Sequence, residues 1–529
     1  MIDLTLLVAR LTQSCERTIA VFENGQRVVR NHATVYTDVK RTCEQLRAWG
    51  IKPGMRVGIL APNSYQWIIY DLALIELRAV SVAFADDFSG VNVKELCDRY
   101  SLSLLLLSVA NGVPDNCRDA PVAFLDGTNG TVTLLDRCSE TRGQTFKTMG
   151  LVFSSGSSGG LKGLILDRKG VEVSLESFVE AIAPRHNDCL LLFLPMSNFQ
   201  QRMMYYAALW YGFDLIVTDP SQIFRALKEL RPTMLIAPPA LYEAFATRFV
   251  NLPAWKRWMA NIAGDIILSV PWRRARRKLG KLIFKQAHDA FGGRMRIVIT
   301  GMAPIKRATM KLFARLQLSL YETYGLIECG PISLNSRGDS KVGSVGHPLP
   351  GVKIELAPDG EIIAHRNPIL ASGYFECTQG EQERTFIGNN RVATGDIGRL
   401  DEDGYLYLIG RKKEMIITAG GEKVHPEVLE AEIDNCSDVL KSVICQDSDL
   451  PSLIAVIVTR NPEDLDARKR IQKVVDDINE VNTSTPIGKV IITSVIFSRE
   501  NGLLRPNLKL DRRKIAQHFQ IKTSQDEIY

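Results

Sequence analysis

The sequence of 529 residues lacks CxxC pairs, a strong charge bias and any apolar run long enough to cross a bilayer. The missing CxxC pairs disfavour zinc and thioredoxin-like sites, so the ten cysteines are expected to be reduced and buried. The net charge of +6 comes from 65 Lys and Arg against 59 Asp and Glu. This weak bias suits anionic small ligands and does not require nucleic acid.

The start of the chain also lacks the basic region of a signal peptide. MIDLTLLVARLTQSCER (1–17) predicts a short amphipathic helix. Together with the cysteine usage, this favours a cytoplasmic protein with no transmembrane segment. A monomer and a homodimer are equally compatible with the sequence.

Short apolar runs alternate with helical patterns such as 64–79 and 306–317. Strand–helix alternation of this kind predicts an α/β fold built from layered sheets and helices. The runs expected to form buried strands are RVGILAP (56–62), SLLLLSV (103–109), LLLFLP (190–195), DLIVTD (214–219), TMLIAPP (233–239) and RMRIVITG (294–301).

The pattern changes near residue 400, where two strands flank the turn sequence DEDG (401–404). Apolar strands and the helical segment 468–482 follow, which indicates a small α+β module. We therefore predict a large N-terminal domain (1–409) and a small, mobile C-terminal domain (410–529).

The loop SSGSSGGLKG (154–163) contains four serines, four glycines and one lysine between two predicted strands. Glycines permit close backbone approach, and hydroxyl and amide groups can surround phosphate oxygens. A Walker A loop does not fit, because Leu161 precedes Lys162 and Gly163 follows it. Taken alone, the segment is equally compatible with a solvated turn.

Four segments in order resemble the adenylate-forming superfamily of acyl-CoA synthetases, adenylation domains and luciferases. SSGSSGGLKG is similar to its phosphate loop, and YETYGLIE (321–328) to its YGxTE segment. ATGDIGRLDEDGYLYLIGRKKEMI (393–416) resembles its TGD…GYL…GRxK run. RPNLKLDRRKI (505–515) is similar to the lysine-bearing C-terminal segment of long-chain acyl-CoA synthetases. The resemblance covers residues from about 30 to 515.

The resemblance implies an enzyme that uses ATP and Mg²⁺ to convert a carboxylic acid to acyl-AMP. Glu328 would place Mg²⁺, Asp396 would bind the ribose hydroxyls, and Arg411 would face the ribose or phosphates. The platform beside adenine would be Gly301, Met302 and Ala303, and the YGxTE segment would add Glu322, Thr323, Tyr324 and Gly325. The phosphates would be held by Ser154, Ser155, Gly156, Ser157, Ser158, Gly159 and Lys162.

The same resemblance assigns the catalytic lysine of adenylation to Lys509, with Lys514 as the competing candidate. Lys413 would be the hinge about which the C-terminal domain rotates for the second step. Gly420 and Gly421 would then line the channel for the acceptor. The acyl pocket is expected near Asn198, Pro239 and Tyr242.

Three positions depart from the family pattern: Ile327 replaces threonine, Asn198 replaces histidine and Leu161 replaces proline. None of them removes a charged catalytic group. The expected function is therefore an ATP-dependent ligase. Its acceptor is coenzyme A or, because SNFQQRMMYYAALWYGFD (197–214) resembles coronafacate ligases, an amino acid. A non-catalytic nucleotide or acyl binder is the third alternative.

The densest basic run is PWRRARRKLGKLIFKQ (271–286), with Trp272 at its edge. Such runs are usually the solvated face of a helix. Contact with an anionic membrane or nucleic acid is the alternative interpretation.

Overall fold

The computed structural model describes most of the chain. The described residues are 1–23, 25–85, 88, 91–108, 120–125, 147–155, 161–250, 252–336, 338–418, 422–446, 452–498, 500–504 and 510–521. No helix in these ranges is both long enough and apolar enough to span a bilayer.

The described residues form helices and strands in the alternation that the sequence predicts. The α-helices are α1 (Leu7–Arg10), α2 (His32–Ala48), α3 (Tyr65–Glu76), α4 (Val93–Arg99), α5 (Arg168–Ile182), α6 (Phe199–Tyr211), α7 (Ile223–Leu230), α8 (Pro239–Val250), α9 (Ala254–Ser269), α10 (Arg273–Ile283), α11 (Lys285–Ala290), α12 (Arg307–Arg315), α13 (Glu381–Thr385), α14 (Pro426–Asp434), α15 (Leu465–Val481) and α16 (Arg512–His518). The strands are β1 (Thr18–Glu23), β2 (Gln26–Asn31), β3 (Arg56–Leu60), β4 (Val80–Ala83), β5 (Leu104–Leu107), β6 (Val122–Phe124), β7 (Thr148–Ser155), β8 (Leu161–Asp167), β9 (Cys189–Leu192), β10 (Asp214–Val217), β11 (Met234–Ala237), β12 (Ile297–Thr300), β13 (Leu320–Leu326), β14 (Gly330–Leu334), β15 (His347–Pro348), β16 (Lys353–Leu356), β17 (Glu361–His365), β18 (Ala371–Glu376), β19 (Arg391–Leu400), β20 (Leu406–Arg411), β21 (Ile416–Ile417), β22 (Lys423–Val424), β23 (Val439–Gln446), β24 (Leu453–Thr459) and β25 (Ile487–Thr493).

The largest sheet has nine strands in the order β15-β14-β13-β12-β11-β9-β10-β1-β2. Its centre is parallel, and its edge pairs β1–β2, β13–β14 and β14–β15 are antiparallel. The predicted strands at 190–195, 214–219, 233–239 and 294–301 all lie in this sheet. They are almost entirely buried, as expected for parallel strands covered on both faces.

A second sheet has seven strands in the order β18-β8-β7-β4-β3-β5-β6. Helices α3 and α6 share one core cluster with strands of both sheets, including Val57 of β3 and Leu190 of β9. Ten of the twelve residues of α3 are buried, which is typical of a helix covered on all sides. The core therefore lies between the two sheets.

A four-stranded sheet, β16-β17-β19-β20, leads to the end of the large domain. DEDG forms the turn between β19 and β20, and Gly404 has a φ of 84°, which favours glycine. A short 3₁₀ helix, Lys412–Glu414, follows β20. The remaining chain forms the β21–β22 hairpin, the sheet β23-β24-β25 and helices α14 to α16.

The α/β class, with a large N-terminal domain and a separate small α+β C-terminal domain, is confirmed. The domain boundary at 409–410 and the mobility of the small domain stay predictions. Of the eight cysteines in the described residues, all are free, and Cys43, Cys97, Cys329 and Cys445 are buried. The prediction of burial is wrong for Cys15 and Cys377, which are exposed.

Candidate active site

Strands β7 and β8 form the frame of the serine–glycine loop (154–163). They pair antiparallel, with Ser154 opposite Lys162 and Ser155 opposite Leu161. Gly156, Ser157, Ser158 and Gly159 lie outside the described residues, as do the side chains of the two preceding serines. The structure therefore places the ends of the predicted phosphate loop and its lysine.

Lys162 is held by a carboxylate from a distant part of the chain. Its ammonium forms an ion pair with Glu381 at the start of α13, and only 12% of the Lys162 side chain is exposed. The ammonium also lies 5.7 Å from the centre of the Tyr374 ring, within cation–π range. The lysine is thus positioned before any phosphate binds.

Glu328, the predicted magnesium ligand, is in the same cluster. Its Oε1 accepts a hydrogen bond of 3.0 Å from the hydroxyl of Tyr374 on β18. Burial and the neighbouring Glu328 carboxylate raise the pKa of Tyr374, so its hydroxyl stays protonated and donates. Tyr374 therefore connects Lys162 and Glu328, which are 166 positions apart in the sequence.

Asp396 and Arg411 face each other across the β19–β20 pair. The Asp396 carboxylate is 3.2 Å from Arg411 Nε and accepts a 2.7 Å hydrogen bond from the Tyr324 hydroxyl. A carboxylate offers roughly four acceptor positions, so these contacts are compatible with further bonds to a ribose. Three predicted nucleotide residues thus meet at one point.

The proposed adenine platform lies where β12 ends beside β13. A Cβ on Gly301 would come within 2.9 Å of Thr323 Cγ2, so any residue other than glycine would require the Thr323 side chain or the backbone to move. Met302 has a φ of 72° and Ala303 follows it on an exposed turn. Gly325 is equally confined, since its Cβ would lie 2.7 Å from Gly330 O. In open α/β sheets, ligands bind at such carboxyl ends of parallel strands.

Glu322 on β13 is a carboxylate in an apolar setting. Among the described residues, none donates a hydrogen bond to its buried Oε2. Burial raises its pKa to about 7, and the positive charge of Arg307 opposes that shift only in part. A neutral carboxylic acid at this place could donate a hydrogen bond.

The three residues predicted for the acyl pocket lie in different environments. Asn198 caps α6, and its Nδ2 is 3.8 Å from Met302 Sδ, so it adjoins the adenine platform. Pro239 is buried at the first position of α8. Tyr242 is fully buried, donates to Ile299 O at 3.0 Å and packs on Phe313, so it belongs to the core. The Tyr242 hydroxyl is therefore used in a hydrogen bond to strand β12 in this structure.

Lys413, the predicted hinge, lies in the 3₁₀ helix Lys412–Glu414. Its ammonium is 4.0 Å from the Glu381 carboxylate that also holds Lys162. The remaining residues predicted for the second step, Gly420 and Gly421, and the predicted catalytic Lys509 lie outside the described residues.

Sequence reasoning missed Tyr374 and Glu381, the two residues that organise this cluster. Tyr374 reaches the site because β18 pairs antiparallel with β8, opposite Leu164. No local pattern reveals such a long-range pairing. A tyrosine next to Gly373 within the short run ASGYFE (371–376) was the one available signal.

A magnesium ion would fit Glu328. Within the described ranges, no cluster of three or more His, Cys, Asp or Glu could enclose a metal ion. Mg²⁺ is commonly bound through one or two carboxylates plus substrate phosphates, and a partly exposed carboxylate beside Lys162 has that character.

The fold and this cluster are those of a nucleotide-dependent enzyme with a large layered α/β domain and a small α+β domain. The AMP-binding enzyme family matches residues 8–375, and its C-terminal domain matches residues 413–521. The chain therefore belongs to the AMP-binding enzyme family and is an adenylate-forming ligase.

Relatives agree with this assignment over nearly the whole chain. The long-chain-fatty-acid–CoA ligase FadD15 of Mycobacterium bovis is 27% identical over 92% of this chain and 91% of its own length. The o-succinylbenzoate CoA synthetase MenE of Bacillus subtilis, solved with its acyl-adenylate, has a TM-score of 0.72 at 19% identity and covers 97% of both chains. The amide bond synthetase McbA of Marinactinospora thermotolerans has a TM-score of 0.71 at 19% identity, covering 98% of this chain and all of its own. The two structures establish the fold alone.

Proposed function

We propose that this ligase adenylates an apolar carboxylic acid with ATP and transfers the acyl group to the thiol of coenzyme A. The observation that carries the first step is the cluster of Lys162, Tyr374 and Glu328 beside the serine–glycine loop. The choice of coenzyme A and of a fatty acid rests on FadD15, whose similarity extends over 92% of this chain.

In the first step, a carboxylate oxygen of the acid attacks the α-phosphorus of ATP. The bond from that phosphorus to the pyrophosphate oxygen breaks, giving acyl-AMP and pyrophosphate. Two anions must approach, so catalysis depends on positioning and on positive charge near the phosphates. Lys162 supplies such a charge, and Lys509 steadies the attacking carboxylate. Mg²⁺ bound at Glu328 would neutralise phosphate charge.

The nucleotide is oriented by residues from three elements. Asp396 and Arg411 bind the ribose side, with Tyr324 fixing the Asp396 carboxylate. Gly301 and Thr323, which pack closely where β12 ends beside β13, form the platform for the adenine ring in this proposal. The serines and glycines of the loop surround the β- and γ-phosphates.

In the second step, the thiol sulfur attacks the acyl carbonyl carbon, the mixed anhydride bond breaks, and AMP and the thiol proton are released. The C-terminal domain rotates about Lys413, which moves Lys509 away and brings Gly420 and Gly421 to the acceptor channel. Residues at a hinge must absorb a large φ/ψ change. The short helix Lys412–Glu414 between two strands suits this role.

An amino acid amine is the second candidate acceptor. It is favoured by the structural similarity to the amide bond synthetase McbA, which covers 98% of this chain. Amine attack on the same carbonyl would form an amide and release AMP and a proton. The adenylation chemistry is identical in both cases.

The acceptor is tested by mass spectrometry of products formed from ATP, a panel of fatty and aryl acids, and either coenzyme A or amino acids. An acyl-CoA product with saturable dependence on coenzyme A supports the proposal. Amides without thioester would favour the second candidate. Absence of ATP–pyrophosphate exchange with every acid would contradict both.

The role of Lys509 is tested separately for the two steps. Lys509→Ala is expected to abolish pyrophosphate exchange and to keep transfer from a supplied acyl-adenylate, because its charge serves only the first step. Lys514→Ala is the matched control, since Lys514 is an exposed lysine of α16. Equal loss of both steps in Lys509→Ala would reject the assignment.

A further inference from the structure

Helices α9 and α10 present an apolar stripe to solvent. On α9 the exposed residues recur at helical spacing, so they share one face, and Trp258 is 65% exposed. Trp272, between the helices, is 73% exposed, and Leu282 near the end of α10 is 76% exposed. The stripe comprises Trp255, Trp258, Met259, Ile262, Ile266, Trp272, Leu279, Leu282 and Ile283.

The orientation of these helices is fixed by their opposite face. A Cβ on Gly264 of α9 would lie 2.6 Å from the Cβ of Arg315 on α12. A Cβ on Gly280 of α10 would lie 2.6 Å from the Cβ of Gln317. Both helices thus approach the body of the protein through glycines, and Ile267 is buried there. The larger apolar side chains are left outside.

The stripe is surrounded by positive charge. Between residues 254 and 285, the one acidic residue is Asp265, which pairs with Arg315. The basic residues in this segment are Lys256, Arg257, Arg273, Arg274, Arg276, Arg277, Lys278, Lys281 and Lys285. Lys256, Arg273, Arg274, Lys278 and Lys285 are exposed.

We propose that the α9–α10 face docks on the surface of an anionic lipid bilayer. Aromatic and aliphatic residues on one side of a helix, flanked by Lys and Arg, are the composition of helices that lie in the membrane interface. Tryptophan favours the interfacial region because its ring is apolar and its N–H is polar. A protein partner is disfavoured because lysine is depleted at protein–protein interfaces. A nucleic acid is disfavoured because its binding rests on phosphate contacts and does not require exposed aliphatic residues. Charge complementarity therefore selects the anionic bilayer.

Vesicle co-sedimentation of the full-length protein tests this docking. Binding to equimolar phosphatidylglycerol–phosphatidylcholine vesicles is expected to exceed binding to pure phosphatidylcholine by at least tenfold and to fall as salt rises. Trp255→Ala with Trp258→Ala should lower binding about fivefold or more, and Arg273→Glu with Arg274→Glu should remove the lipid preference.

Matched controls come from α15, a helix with exposed residues of the same types. The double variant Leu465→Ala with Val481→Ala controls for the removal of exposed apolar side chains. The double variant Lys469→Glu with Lys473→Glu controls for the reversal of exposed charges. Both should leave vesicle binding unchanged. Equal wild-type binding to both kinds of vesicle, or equal losses in the control variants, would overturn the proposal.

Fluorescence provides a readout that does not depend on the alanine variants. Three of the six tryptophans lie in the stripe, so brominated lipids should quench part of the emission. Replacing Trp255, Trp258 and Trp272 by Phe should remove this quenching while co-sedimentation persists. Stronger binding to a DNA duplex than to vesicles, or self-association that the stripe variants abolish, would assign the face to another partner and refute bilayer docking.

Discussion

At the scale of single residues, Tyr374 determines how the charged groups of the site are arranged. Its ring faces the Lys162 ammonium, and its hydroxyl donates to Glu328. Glu381 forms an ion pair with the same lysine. In the proposed function, a phosphate bound at Lys162 competes with Glu381 for this ammonium, so we expect changes in the cluster to alter the affinity for ATP.

Tyr374→Phe removes the hydroxyl and keeps the ring under Lys162. A hydrogen bond to a charged group contributes about 1.5–3 kcal/mol, and about 1.4 kcal/mol corresponds to a factor of ten. We expect kcat/KM for MgATP in pyrophosphate exchange to fall roughly tenfold. Tyr407→Phe is the control, since Tyr407 of β20 donates a similar hydrogen bond of 3.1 Å to Asp401 in the β19–β20 turn. Equal effects of both changes would argue against the positioning role.

Glu322 should make stability depend on pH. Its folded-state pKa of about 7 lies above the ordinary value of 4.5, so the folded protein keeps a proton that the unfolded chain loses. Its contribution is therefore fully present below pH 4.5 and is lost as the pH rises through about 7.

Glu322→Gln removes this titration. The variant should unfold near the wild-type temperature at pH 5 and at a higher temperature at pH 8, with the difference growing between them. Each unit by which the folded-state pKa exceeds the unfolded-state pKa changes the free energy of unfolding by about 1.4 kcal/mol across this pH range. Thermal unfolding at pH 5, 6, 7 and 8 checks the trend. A difference that is constant over this range would contradict it.

At the scale of elements, α3, β4 and α6 are joined by a polar network inside the core. Asp71 Oδ1 accepts from Arg202 Nη2 at 2.6 Å and from Ser81 Oγ at 2.9 Å. Its Oδ2 accepts from the hydroxyls of Tyr205 and Tyr206. Asp71 and Arg202 have no exposed surface, so the two buried charges compensate each other.

Asp71→Asn would leave the Arg202 charge buried without its counterion. Removing one partner of a buried pair costs about 3–5 kcal/mol. Urea denaturation should show that the free energy of unfolding of Asp71→Asn is lower than that of the wild type by about this amount. Glu229→Gln is the control, because the exposed pair Arg225–Glu229 at i,i+4 should contribute only about 0.3–0.5 kcal/mol. A loss from Asp71→Asn as small as the control's would show that the pair is dispensable.

Local sequence could predict the elements because each strand or helix pattern is a property of a few neighbouring residues. The run 64–79 predicts α3, and the structure bounds it at Tyr65–Glu76. The site depends instead on pairings between distant segments, such as β18 with β8, that no local pattern encodes. Likewise, the contact of Asp71 on α3 with Arg202 on α6 joins residues 131 positions apart, and no local spacing predicts it.

At the scale of the whole molecule, two contacts join the large predicted domain to the small one. Lys306, between β12 and α12, donates to the carbonyls of Val439 and Leu440 at 3.0 Å each. Lys413 of the linking 3₁₀ helix approaches Glu381 of the large domain. Both contacts come from flexible lysine side chains, so they can be exchanged for others at modest cost.

Lys413→Pro should separate the two half-reactions. Proline fixes φ near −65°, close to that of a 3₁₀ helix, so the linker is held in one arrangement. One half-reaction is expected to survive within a few fold and the other to fall by at least tenfold, as measured by pyrophosphate exchange and by transfer from a supplied acyl-adenylate. Lys413→Ala removes the same contact with Glu381 but leaves φ free, so it should keep both activities. If the proline variant kept both as well, rotation about this residue would not be part of the reaction cycle.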